Sequence, residues 1–216
     1  MLKKIKSFWR FWAANQSEIQ EVLITQEPKR EVISALLKKL NSISRRIGYK
    51  VETNKISGNS KITFTAHGYK VLFPKIIALA DNFPVIPGLS AQAFIQPTEN
   101  LEKYEQGTDK PHVFSDFSLR ISQMKFLILQ YNTDYKKLKI KVLLPNYRYH
   151  YNNPMLTTNV MLLLEELVGE IALHKYVQVF DFEQLPDNFQ KGIPLYQLTE
   201  YINRLKTTKT GSTRII

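Results

Sequence analysis

Apolar residues recur at three- and four-residue steps through the first fifty positions, and the rhythm then shortens to every second position. Phe8, Phe11, Trp12, Ile19, Val22 and Leu23 make one stripe at helical spacing, which predicts a helix over 8–26. Pro28 separates it from a second helix predicted over 29–47. Its buried line is Val32, Leu36, Leu40, Ile43 and Ile47, and Gly48 supplies the stop. The period of two begins there. Segments 49–56 and 61–65 read as a hairpin around Ser57-Gly58-Asn59-Ser60. A helix over 70–82 ends before Pro84, and a strand over 89–95 follows. After a polar loop at 96–110 come a strand over 113–121 and a second hairpin, 124–131 with 136–144, around Asn132-Thr133-Asp134. A helix over 154–167, ended by Gly169, leads to a last strand over 176–182 and a closing helix over 194–205.

Two stretches, 49–95 and 124–182, therefore share the order hairpin, helix, strand. The expectation is a two-layer α+β fold of about six or seven mostly antiparallel strands, with helices mainly on one face. A doubled ββαβ unit whose strands merge into one sheet would bury every stripe named above. One domain is expected over 1–205, made of a helical pair at 8–47, a sheet-forming body at 49–182 and the closing helix. Residues 206–216 read as a polar, flexible tail.

Composition supports a folded core, with 44% hydrophobic and 12% aromatic residues in 216. The absence of cysteine removes disulfides, thiolate zinc sites, iron–sulfur clusters and thiol nucleophiles, and fits a reducing cytosol. Arg10 interrupts the apolar run behind the first lysines, which argues against a secretory leader. No stretch approaches the roughly 20 apolar residues of a membrane span. The expected location is cytoplasmic. The formal charge of +11 invites a nucleic-acid reading, yet much of it is terminal. Lys3, Lys4, Lys6 and Arg10 contribute +4, and Lys206, Lys209 and Arg214 contribute +3.

Several short motifs point to kinship. Phe8-Trp9-Arg10-Phe11-Trp12 followed by Asn15 is similar to the start of a family of uncharacterised bacterial intracellular proteins. So are Ile62-Thr63-Phe64-Thr65-Ala66-His67-Gly68, Leu72-Phe73-Pro74-Lys75, Leu143-Leu144-Pro145-Asn146-Tyr147 and the stretch LLLEELVGE at 162–170. Their order over residues 8–205 carries the resemblance. The chain departs from the family in having His67 where an acidic residue is usual, and Glu165-Glu166 where the family is more acidic. The resemblance implies a fold and no chemistry.

The catalytic vocabulary is sparse. All eight glycines are isolated, so no GxGxxG or GxxxxGK[ST] phosphate loop can be written, and GxSxG and HExxH are also missing. Glu166, Glu170 and His174 stand four apart and would make a metal stripe on one continuous helix. Gly169 breaks that helix, and the expectation is no metal and no cofactor. The Phe8–Trp12 cluster would suit an anionic membrane surface, but packing into the core is the favoured reading.

The most suggestive segment is 146–153, read as a loop in which Tyr147, Arg148, Tyr149, His150 and Tyr151 alternate aromatic and cationic groups. Tyr and Arg are favoured at contact hot spots because they bring large area at modest entropy cost. Lys136, Lys137, Lys139 and Lys141 precede it. Lys139 and Lys141 share one strand face, and the bland reading is lysines guarding an edge strand. Lys38, Lys39, Arg45 and Arg46 form the basic side of the second helix, which ordinarily just solvates it. Joined to the lysine strand they would make a footprint for phosphate. The leading expectation is a non-enzymatic intracellular module that binds a protein partner through 147–151. The alternative is nucleic-acid binding by the basic surface. The third is an enzyme of unfamiliar type, for which His112 with Asp116, or His67, would be examined first.

Overall fold

The computed structural model describes residues 1–25, 30–54, 56–132 and 134–207. The expected turn residue Thr133, the 26–29 junction and the tail from 208 onward lie outside them. The chain divides into two compact units, Met1–Ile95 and Gln96–Ile216.

In the first unit, α1 (Leu2–Ala14) buries Ile5, Phe8, Trp9 and Trp12 along one side. The expected single helix over 8–26 is two helices, because Asn15 interrupts it. Its side-chain amide donates to the Phe11 carbonyl at 2.8 Å, and its backbone N–H is shared between the Phe11 and Trp12 carbonyls. The break is local, so the apolar spacing on either side does not reveal it. Helix α2 (Gln16–Thr25) follows at once, then α3 (Arg30–Ile43), which buries Val32, Leu36, Leu40 and Ile43. It stops four residues earlier than expected, in a turn where Ser44 accepts bonds from Arg46 N–H and Ile47 N–H.

Strands β1 (Gly48–Thr53) and β2 (Ser60–Thr65) form the expected antiparallel hairpin. The Asn54 side chain accepts from the N–H groups of Ile56 and Ser57, and Gly58 takes φ +69°, the left-handed geometry that favours glycine. Helix α4 (Phe73–Asp81) carries the chain to β3 (Leu89–Ala93), which pairs parallel to β2. The core is aromatic. Phe64 of β2 meets Phe8 and Trp9 at ring distances of 5.9 and 5.8 Å, and Trp9 Nε1–H donates to the Leu79 carbonyl at 2.9 Å. Large rings with a satisfied polar edge bring both area and orientation to such a core.

The second unit opens with the short α5 (Glu102–Glu105). The expected strand over 113–121 is instead a tight hairpin of two-residue strands, β4 (His112–Val113) and β5 (Ser118–Leu119). Strands β6 (Lys125–Asn132) and β7 (Lys137–Leu144) pair antiparallel. Then come α6 (Tyr147–His150), α7 (Leu156–Val168), α8 (Glu170–Tyr176) and β8 (Val177–Gln184), which runs parallel to β7. The segment expected as one closing helix over 194–205 begins as β9 (Ile193–Pro194), paired with β6, and becomes helical in α9 (Leu198–Thr207). Lys206, placed in the tail by its polarity, belongs to that helix. Phe126, Leu138, Ile140, Val142 and Leu144 from the sheet pack with Leu163, Leu164 and Leu167 of α7 and Ile202 and Leu205 of α9.

This is an α+β fold, and each unit contains the expected ββαβ order. The second hairpin strand sits centrally each time, antiparallel to the first strand and parallel to the last. The merged sheet is not formed. The described strands make separate sheets, β1-β2-β3, β4-β5 and β8-β7-β6-β9. Three of the outer strands carry features that resist extension. β1 presents Lys50 and Glu52, β8 carries Asp181, Glu183 and a bulge at Phe180, and β9 is two residues long with a proline that lacks an N–H. No helix among the described residues is long and apolar enough to cross a membrane.

Candidate contact surface

The aromatic segment is built by a change of direction at the end of β7. Pro145 has no N–H for a ladder, and Asn146 takes φ +60°, which turns the chain into the single helical turn of α6. The expected loop is thus a fixed turn. Tyr149 N–H donates to the Asn146 carbonyl at 3.0 Å, and Arg148 N–H donates to Gln184 Oε1 at 3.1 Å. Asn153 closes the far side, donating from its amide to Asp116 Oδ2 at 3.3 Å and accepting from Met155 N–H at 2.9 Å.

The five candidate residues divide by role. Tyr147 is half-buried against the core of its unit, and His150 lies with its ring 5.1 Å from Phe117. Tyr149 and Tyr151 are 84% and 61% exposed, and Arg148 and Met155 are exposed beside them. Two residues anchor the turn and three point outward. Such an arrangement presents rigid aromatic area with little further entropy to lose on contact.

The six basic candidates divide between the units. In the second, Lys139 and Lys141 do share one face of β7, but β7 is the central strand and not an edge. The Lys139 ammonium lies 4.2 Å from the Phe180 ring centre, and Lys141 is ion-paired with Glu183. The neighbouring strand therefore answers both charges. In the first unit, Lys38 is exposed on α3 and Lys39 donates to Ser7 Oγ at 3.3 Å. Arg45 and Arg46 follow the helix end, and the Arg46 guanidinium lies 5.5 Å from the Tyr69 ring centre.

The acidic stretch at 165–170 folds differently from a metal stripe. Gly169, at φ +83°, ends α7 and starts α8 as expected, and a Cβ there would lie 2.9 Å from Pro97 Cδ. His174 Nε2 is 2.8 Å from Glu165 Oε1, while Glu166 stands 3.8 Å from His112 Nδ1, and Glu170 is fully buried. His112 is therefore partnered by Glu166, and Asp116 by Asn153. Among the described residues no group of three His, Asp or Glu side chains is placed to hold a metal ion. The spacing gave no sign that Glu165, Glu170 and Asp109 would be buried. Their neighbours in sequence supply the signal in retrospect, since Glu165 lies within the run Leu162–Val168.

Comparison of the chain with protein-family models, with curated proteins and with solved structures gives no match in any of the three. The functional reading rests on the chemistry of these surfaces.

Proposed function

We propose that this protein is a non-enzymatic intracellular protein-binding module, akin to the uncharacterised bacterial family its motifs resemble, that engages its partner through Arg148, Tyr149 and Tyr151. One observation carries the reading: two exposed tyrosines and an exposed arginine stand on a turn pinned by Gln184, Asn153 and Tyr147. Side chains of these types, carried on a backbone fixed before contact, are those that dominate binding energy at interfaces. The test is capture of cytosolic proteins by the full chain and by the Arg148→Ala/Tyr149→Ala variant. At least one partner is expected to drop about tenfold or more with the variant, the effect of losing roughly 2 kcal/mol at a hot spot. An unchanged set of captured proteins would refute the assignment.

A further inference from the structure

The first unit has its charge sorted to one end, and the fold does the sorting. Lys4 Nζ donates to the Ser42 carbonyl at 2.6 Å and Lys39 Nζ to Ser7 Oγ at 3.3 Å, so α1 and α3 lie antiparallel. The start of α1, with Lys3, Lys4 and Lys6, thus sits beside the end of α3, with Lys38 and Lys39. Arg45 and Arg46 come next, immediately before β1. Gly48 at the start of β1 pairs with Thr65 at the end of β2, which brings in the β2–α4 connection. Arg46 is seated over Tyr69 there, and Tyr69 and Lys70 are both exposed. Eight cations separated by up to 67 positions in sequence meet at one pole.

The described carboxylates of this unit lie elsewhere. Glu31 is at the start of α3, about 16 Å along the axis from Ser42 at 1.5 Å per residue. Glu52 lies toward the far end of β1 and is engaged by Lys50 and Lys61, and Asp81 ends α4. Glu18 and Glu21 are on α2, beyond the other end of α1. Among the described residues none of the eight cations makes an ion pair. A pole of ammonium and guanidinium groups without carboxylate partners among the described residues raises the local concentration of polyanions. The exposed Tyr49 and Tyr69 at the same pole add ring faces on which unpaired bases stack.

We propose that this basic pole binds single-stranded nucleic acid, the cations tracking the phosphates and Tyr69 taking a base. An anionic membrane is the less suitable polyanion. Phe8, Trp9 and Trp12, the side chains α1 would have inserted, are consumed by the core, and its outward face carries Lys3, Lys6, Arg10 and Ala13.

The test is fluorescence anisotropy of a labelled mixed-sequence single-stranded RNA with the full chain, titrated with salt. About four to five neutralised phosphates predict a log–log slope near −3. The variant Lys3→Gln/Lys6→Gln/Lys38→Gln/Arg45→Gln removes four of the eight cations, all exposed, and should cut the slope roughly in half or further. Tyr69→Ala should weaken binding about tenfold with the slope unchanged, since stacking carries no counterions. Binding absent at low salt, or unaltered in the quadruple variant, overturns the proposal. So does binding lost only in a chain ending at Thr207, or preferential binding to phosphatidylserine vesicles. Because Arg148 and Tyr149 are untouched, failure here leaves the protein-binding reading separately testable.

Discussion

The two units run through the same strand order yet differ in what fills and what covers them. Residues 1–95 hold fifteen Lys and Arg against six Asp and Glu, while 96–216 hold fifteen against thirteen. The first core is centred on edge-packed rings of α1 and Phe64 set among aliphatic side chains, whereas the second is chiefly aliphatic, from β6, β7, α7 and α9. A shared ββαβ order thus requires neither a shared core chemistry nor a shared surface. The alternation of apolar positions sets which face of each strand is buried, and the polar positions are left to diverge.

The comparison is broken most severely through the first core. Trp9→Ala removes a buried ring, its edge contacts with Phe64 and Phe83, and the bond to Leu79. It should cost about 3–5 kcal/mol, read as a lowered denaturation midpoint with faster amide exchange in β1–β3. In the second unit the sensitive point is backbone rather than ring. Gly169→Ala meets both a positive φ and Pro97, so a loss of about 1–3 kcal/mol is expected in the same denaturation assay.

A finer contrast lies within α6. Tyr147→Ala should destabilise measurably, whereas Tyr149→Ala should leave the unfolding free energy within the range of about ±0.5 kcal/mol typical of surface changes. Equal destabilisation by the two would remove the distinction between anchor and contact residue. The smallest effect concerns Glu52. Partial burial raises its pKa, but Lys50 and Lys61, at 3.3 and 3.5 Å, outweigh this and hold it below the ordinary carboxylate range. Its contribution is therefore present above the usual carboxylate pKa and lost as pH falls through the lowered one. For so exposed a pair it amounts to under about 1 kcal/mol. Glu52→Gln should slightly lower stability at neutral pH and flatten its acid dependence.

Much of this fold was legible in the residues, and the exceptions share a cause. The change of period at Gly48 and the break at Gly169 are local and appear where the pattern puts them, while the turn expected at Ser57–Ser60 begins earlier because the Asn54 side chain caps the end of β1. What pairs with what is not local. Nothing in the alternation of β7 says that β8 lies beside it, so its lysines read as edge guards when Glu183 and Phe180 face them. The same holds for the sheets, whose strand order is set by long-range pairings. The basic pole was hidden for the same reason, since Lys4, Ser42 and Tyr69 meet only after folding. In the 147–151 turn, composition marked a segment rich in Tyr and Arg, while the split between buried Tyr147 and exposed Tyr149 required the direction of each side chain.

The central claim is that two separate surfaces, one on each unit, carry two different contact chemistries. The direct measurement is a crossed one, in which protein capture after nuclease treatment and single-stranded RNA binding are both recorded for two variants. Arg148→Ala/Tyr149→Ala should lose captured protein and keep RNA affinity, and the Lys3/Lys6/Lys38/Arg45→Gln variant should do the reverse. A single variant that abolishes both activities, or a pair that alters neither, would contradict the account.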